Sequence, residues 1–301
     1  MTIIFCSDPL NERGSDPVYE TEVQAAEGAG FQHALVSFEE LVYTNNPDRA
    51  VRRVDQSPGS VIGIYRGWMM TPRQYEQLYV ALERKGVLLI NDPVAYKHCH
   101  YLPASYSIIA EHTPRSVWMT VQGSPDMDQV TELLEPFDGK PIVLKDFVKS
   151  RKHEWNDACY IPSAADRSAV ERVITRFLEL QGDDLNEGLV FREYVEFAPL
   201  AVHSKSGMPL TKEFRLFFLD GKLMYSVPYW EEGDYGGQLP EVETFLPVAR
   251  AVQSRFFTMD VAQRKDGGWL IVELGDAQVA ALPDNADPVE FYRALKRGLD
   301  G

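Results

Sequence analysis

The chain is short of cysteine, of basic residues relative to acidic ones, and of long apolar runs, and each shortage excludes something. Its 301 residues include three cysteines. Cys6, Cys99 and Cys159 lie far apart and form no CxxC pair. An odd, scattered set argues against a disulfide framework and a structural zinc site, and the compartment expected for it is a reducing cytoplasm. Lys plus Arg is 30 against 45 Asp plus Glu, a formal net charge of −15. Such acidity argues against bulk nucleic-acid binding but leaves a local basic site open. No apolar run approaches the roughly 18 residues of a membrane helix, so no membrane partner is expected. The first residues, MTIIFCSDPL, lack the basic and long apolar regions of a secretory signal. Familiar catalytic motifs are missing as well: there is no GxxxxGK[ST], no GxGxxG and no GxSxG, and His153-Glu154 has Asp157 where HExxH needs its second histidine. His98 and His100 are two apart on an expected helix, so they point about 200° apart and are poorly placed to chelate one ion. The reading expected for that pair is one histidine buried and one exposed.

What is present is the makeup of a globular protein, 45% hydrophobic and 25% charged, long enough for one large domain or two ordinary ones. In the first third, strand-like runs at 3–5, 34–37, 61–65 and 87–90 alternate with helical stretches, the pattern of a parallel α/β sheet. Thr71-Pro72-Arg73-Gln74 reads as a capping box with proline in the first turn, and Gly86 as the stop that follows. One helix is expected over 96–112, ended by Thr113-Pro114. A strand is expected at 141–144. Val170, Val173, Ile174, Phe177 and Leu178 then mark an amphipathic helix over 168–180. Beyond it the texture turns to strands at 189–195, 214–219, 223–228, 256–261 and 269–274. Asp220-Gly221 and Asp266-Gly267-Gly268 supply hairpin turns between strands, and a closing helix is expected over 288–299.

Four constellations carry chemistry. Lys145-Asp146-Phe147-Val148-Lys149-Ser150-Arg151-Lys152 holds four cations and one anion directly after a strand. It suits a polyphosphate, or is a solvated basic loop. Asp260 and Glu273 stand on the two arms of an expected hairpin, with Asp276 just beyond. They read as oxygen ligands for Mg²⁺ or Mn²⁺, or as surface acids. An unpaired acid directly after Leu270-Ile271-Val272 is costly, which weighs against the second reading. Gly188 to Glu196 is an apolar strand running into Arg-Glu-Tyr-Val-Glu, which suits an adenine edge and a ribose, or is an ordinary strand that surfaces. Glu213 and Arg215 are two apart on a strand and share a face, either as a salt-bridged surface or as a guanidinium beside a phosphate.

In this order the four pieces resemble the ATP-grasp superfamily. The pattern there is a strand ending in Lys, a phosphate loop, a helix, a strand carrying Glu, a Glu-x-Arg strand, then Asp, a hairpin and Glu-x-Asn. Tyr65-Arg66-Gly67-Trp68, Asn91-Asp92-Pro93 with Tyr96, and Lys149-Ser150 also resemble a less characterised bacterial and phage clade of it. The resemblance implies an α/β, Rossmann-like pre-ATP-grasp domain over 1–96. An α+β ATP-grasp fold with antiparallel sheets would follow over 97–301, with 140–196 as the smaller ATP-lid subdomain. Two departures stand out: Gly275 replaces the family's Asn, with Asp276 as candidate substitute, and the phosphate loop is cationic where the family's is rich in Gly and Ser.

The implied activity is that of an ATP-dependent carboxylate–amine ligase working through an acyl phosphate and releasing ADP and phosphate. By the same resemblance, Lys145 would bind the α- and β-phosphates with help from Lys149 and Lys152. Asp260, Glu273 and Asp276 would hold Mg²⁺ or Mn²⁺. Arg215 would stabilise the transferring phosphoryl group, with Glu213 beside it. Glu193 and the Val195 backbone would read adenine, and Glu196 the ribose. Arg66, at the end of an expected parallel strand, would meet the substrate carboxylate or else be a surface or capping arginine. The partners expected are a small-molecule, amino-acid or peptide carboxylate and an amine. The alternatives on the same fold are another phosphotransferase, a nucleotidyl-transferring end-joining enzyme with the nucleotide on Lys145, and a non-catalytic nucleotide-binding module.

Overall fold

The computed structural model describes residues 1–202 and 209–301. The first elements alternate as the sequence pattern predicts. They are β1 (Thr2–Cys6), α1 (Glu20–Gly28), β2 (Gln32–Val36), the short α2 (Phe38–Val42) and α3 (Pro47–Ala50), β3 (Val61–Arg66), α4 (Pro72–Glu83) and β4 (Val87–Leu89). The strands form one parallel sheet in the order β2-β1-β3-β4. The capping box forms: Gln74 N donates to Thr71 Oγ1, and Thr71 N donates to the Gln74 side chain.

The single helix expected over 96–112 is two helices, α5 (Pro93–His100) and α6 (Leu102–Ile109), with Tyr101 extended between them at φ −103°, ψ 114°. Pro103 is the cause. Mid-helix it would leave the Cys99 carbonyl without a donor and crowd it, whereas in the first turn of a new helix its missing N–H costs nothing. His98 and His100 are both buried.

A second unit follows: β5 (Ser116–Thr120), α7 (Met127–Leu134), β6 (Ile142–Asp146), β7 (Tyr160–Ile161), α8 (Arg167–Gln181) and β8 (Gly188–Glu193). Its sheet is antiparallel, in the order β5-β8-β6-β7. The periodic face of α8, with Val170, Val173, Ile174 and Phe177, packs on Ile142, Leu144, Leu189 and Phe191.

The remainder comprises β9 (Pro199–Val202), β10 (Pro209–Thr211), β11 (Glu213–Leu219), β12 (Lys222–Pro228), α9 (Val242–Ala251), β13 (Phe256–Gln263), β14 (Trp269–Asp276) and α10 (Pro288–Asp300). β9 and β10 pair with each other, and the other strands form an antiparallel sheet in the order β12-β11-β13-β14. Asp220 and Gly221 both take positive φ, 49° and 72°, as the tight β11–β12 turn requires. One face of this sheet buries Phe214, Leu216, Phe218, Phe257 and Met259 with residues of α6 and α9. Phe217, Leu219 and Phe256 instead join the core of the parallel sheet, together with Phe291, Tyr292 and Leu295 of α10. The C-terminal helix thus closes back on the N-terminal unit.

Candidate active site

β11, β13 and β14 set three charged residues in a row. Arg215 is opposite Asp260, and Asp260 is opposite Glu273. Cross-strand partners share a face, so the three side chains rise from the same side of the sheet. Arg215 grips Asp260 with both arms of its fork, Nε to Oδ1 at 2.9 Å and Nη2 to Oδ2 at 2.7 Å. Its Nη1 donates to the Ala281 carbonyl at 2.8 Å, and Tyr229 lies under it at 4.8 Å. Burial pulls the Arg215 pKa down, but the Asp260 carboxylate more than offsets this and raises it. The other antiparallel sheet contributes Lys145 from β6, whose Nζ lies 3.6 Å from Glu273 Oε2. Arg215, Asp260, Glu273 and Lys145 therefore form a chain of charges across the junction of the two sheets. Glu273 is the open end of it, with 46% of its side chain exposed against 2% for Asp260.

Asp146, next to Lys145, shapes the loop that follows. Its Oδ1 accepts from Val148 N and Lys149 N, and its Oδ2 accepts from Gln181 Nε2, Asn186 N and Asn186 Nδ2. Five donors around one buried carboxylate wind residues 147–149 into a turn and bring Ser150 back into a bridge with Lys145. Lys149 is exposed on that turn. Lys152, also expected at phosphate, lies outside the described side chains. Asp146 stands inside the motif read for its cations, and nothing in the spacing marks it as the organiser.

The other expected site residues lie elsewhere. Asp276 turns to the opposite face of β14, fully buried, where it accepts from Asn91 Nδ2 at 2.7 Å and Gln278 N at 2.9 Å. Burial pushes its carboxyl up to about 6. It does not join Asp260 and Glu273. Arg66 is 1% exposed, and the carboxylate it meets belongs to the chain itself: Nε and Nη2 donate to Glu22 at 3.0 Å, and Nη1 donates to the carbonyls of Ala277 and Ala280. Glu193 shares the face of β8 that carries Phe191 and Leu189, away from Lys145, and ion-pairs with Lys140 at 3.7 Å. Val195 and Glu196 lie just past β8, with Glu196 exposed and 2.9 Å from Lys265. Glu213 shares the Arg215 face, and its carbonyl accepts from Tyr229 N and Tyr235 OH.

Two features beside this cluster were not marked by any motif. Trp155, Tyr160 and Tyr194 form an aromatic group next to residues 194–196, with Trp155 stacked on Tyr160 at 5.6 Å; the three residues are dispersed in sequence. His100 stacks on Tyr96 at 5.1 Å. Burial lowers its pKa to about 4, with Glu273, Lys149 and Lys145 among the charges it feels, so it is neutral near pH 7.

The donor set fits a hard cation. Asp260 and Glu273 offer only oxygen, and Mg²⁺ typically takes one or two carboxylates and completes its octahedron with phosphate and water. Among the described residues no three His, Cys, Asp or Glu converge as a closed metal cage. Gly275 also lies on the Asp260 face, opposite Thr258, and a Cβ there would meet Thr258 Oγ1 at 2.7 Å. Thr258 thus fills the space that an Asn side chain would need.

Residues 136–295 match a family model described as an ATP-grasp domain, the third family of its clade. The chain belongs to that ATP-grasp family. No curated protein matches it. Solved ATP-grasp structures match along the whole chain at low identity. A RimK domain ATP-grasp protein from Sphaerobacter thermophilus DSM 20745 is 14% identical with a TM-score of 0.61, covering 100% of both chains. The ATP-grasp ligase PsnB, complexed with minimal precursor, Mg and ADP, is 11% identical with a TM-score of 0.55, covering 100% of this chain and 98% of its own. D-alanine–D-alanine ligase from Bacillus anthracis, complexed with ATP, is 14% identical with a TM-score of 0.56, covering 99% and 95%. The ATP-grasp chain thus has an α/β N-terminal domain followed by antiparallel grasp sheets. Among the described residues no helix is long and apolar enough to cross a membrane.

Proposed function

We propose that this ATP-grasp protein is an ATP-dependent carboxylate–amine ligase that passes through an acyl phosphate and releases ADP and phosphate. The observation that carries the reading is the convergence of Lys145 from one sheet with Arg215, Asp260 and Glu273 from the other. Phosphoryl transfer asks little covalent work of a protein and much charge placement, and this row supplies both signs where the sheets meet. Lys145 and Lys149 would neutralise the polyphosphate. Arg215, already aimed by Asp260 and Tyr229, would stabilise the transferring phosphoryl group. Asp260 and Glu273 would hold Mg²⁺, which supplies charge neutralisation between β- and γ-oxygens when bound. The 194–196 segment and the adjoining aromatic group would take the base and ribose.

The co-substrates proposed are an amino-acid, peptide or small-molecule carboxylate and an amine. We also divide the chain at 96/97, with 140–196 as the ATP-lid subdomain, a reading supported by the separate β5-β8-β6-β7 sheet. A cytoplasmic setting is supported by three buried, free cysteines. The test is a thermal-shift titration with Mg·ATP followed by an ADP-release screen against pools of carboxylates and amines. Stabilisation by Mg·ATP that disappears in Asp260→Asn and Glu273→Gln is expected, with ADP released in the presence of both substrates. Release of AMP would favour nucleotidyl transfer, and no release with any pool would leave a binding module.

A further inference from the structure

β14 contains one residue more than its partner strand can pair. Asp260 faces Glu273 and Val261 faces Ile271, so Val272 has no residue opposite it, a single-residue β-bulge. Its consequence is a change of face. Ile271 and Leu274, three apart, enter the same core that β13 lines with Phe257, Met259 and Val261, which strict alternation would forbid. Without the extra residue Asp260 would face Val272, and Glu273 would face Met259 in the core. The bulge is what turns Glu273 towards Asp260 and Lys145. By the same step it turns Asp276 away.

A bulge disrupts the ladder and leaves carbonyls needing donors. Here a side chain from the other sheet supplies them. Arg192 of β8, only 9% exposed, donates through Nη1 to the Val272 carbonyl at 2.5 Å and through Nη2 to the Ile271 carbonyl at 3.0 Å. Thr113 Oγ1 donates to the Ile271 carbonyl at 2.8 Å and accepts from Arg192 Nη2 at 2.5 Å. The Arg192 Nε is buried with no partner among the described residues. Burial lowers the pKa of this guanidinium to about 10, against the attraction of Glu273. Burying a cation against neutral acceptors is costly, and its position across the sheet junction indicates what it secures. Lys145 is opposite Val190 and Val143 is opposite Arg192, so Arg192 rises from the same face as Lys145.

We propose that Arg192, assisted by Thr113, is a positioning residue that holds the bulge carbonyls of Ile271 and Val272 and thereby sets Glu273 beside Asp260 and Lys145. The effect on metal and nucleotide rests on the function proposed above, whereas the effect on strand register does not. Register is read by cross-linking. Asp260→Cys paired with Glu273→Cys closes a disulfide under mild oxidation while Arg192 is present. Adding Arg192→Met lowers that yield at least tenfold, and Asp260→Cys paired with Val272→Cys gains instead. Equal 260–273 yields in the two backgrounds, nil included, overturn the proposal. If Arg192→Met does not fold, Arg192→Lys replaces it and is read the same way, because a lysine cannot span two carbonyls and Thr113. In the otherwise native chain, Arg192→Lys raises the Mn²⁺ concentration for half-maximal binding to the ADP-loaded protein at least tenfold, while metal-free ADP binding stays within twofold. An equal loss of both overturns the positioning role. If the wild-type chain binds no Mn²⁺·ADP at all, the nucleotide function fails, and the cross-link alone decides the role of Arg192.

Discussion

Asp146 and Asp276 are both buried carboxylates next to or near residues of the site, yet they behave differently because their neighbours differ. Asp146 accepts from five donors and thereby fixes the turn that carries Lys149. Asp146→Asn would replace one acceptor oxygen with a donor facing Gln181 and Asn186, which loosens that turn. The expected outcome, read in steady-state ADP release, is a KM for ATP raised about tenfold, the equivalent of one lost hydrogen bond of about 1.4 kcal/mol, with a smaller change in kcat. Asp276 has its carboxyl raised from 3.8 to about 6 by burial, so folding favours its protonated form. Its contribution to stability is complete below about pH 4 and is lost as pH rises through about 6, by roughly 3 kcal/mol. Urea unfolding of the wild type and of Asp276→Asn across pH 4 to 7 checks this: the wild type should lose more stability over that range than the variant, and parallel curves would count against it.

At the scale of elements, the loop after β6 is held from below by the first residue of β8. A Cβ on Gly188 would meet the Met119 carbonyl at 2.2 Å and the Phe147 ring at 2.8 Å. Gly188→Ala is therefore expected to cost about 1–3 kcal/mol of overpacking in chemical denaturation. It should also weaken ATP binding, since Phe147 belongs to the phosphate turn. Element boundaries were largely legible in the sequence where a cap or a period marks them. The Thr71–Gln74 box and the 3.6-residue period of α8 are examples. Pro103 was equally visible, but a period that continued past it concealed the break at Tyr101. The loop at 230–237, rich in glycine and acid, is also more anchored than its composition suggests. Tyr235 OH donates to the Glu213 carbonyl at 3.0 Å and accepts from Trp230 N at 3.1 Å, and its ring packs on Phe214 at 4.9 Å.

The whole molecule is tied together at Arg66. This one side chain reaches Glu22 of α1 and the carbonyls of Ala277 and Ala280 beyond β14, and Tyr292 of α10 donates to the same Glu22 at 2.7 Å. The knot therefore joins the first strands to the last helix. Removing one member of a buried pair strands the other charge, so Glu22→Gln is expected to cost about 3–5 kcal/mol. Urea denaturation measures the loss, which should appear as a lower midpoint with little change in the metal dependence of nucleotide binding. A comparable fall in metal affinity would place Arg66 in the site rather than in the frame.

The sequence by itself determined which residues are suited to the chemistry and which sheets bear them. A lysine closing one strand, Glu-x-Arg opening another and two acids on a hairpin are local facts, and chain order alone made their family resemblance readable. The face each residue takes was decided only in three dimensions. Strand alternation predicts side-chain direction as long as no residue is added, and the bulge at Val272 has no distinguishing composition in Leu270-Ile271-Val272-Glu273. That one residue puts Glu273 beside Lys145 and takes Asp276 out of reach. The partner of Arg66 was equally hidden, because Glu22 lies 44 positions away and only the packing of α1 against β3 and α10 brings its carboxylate there. Local propensity specifies elements, but the phase of a strand and the partner of a buried charge depend on contacts between residues far apart in the chain.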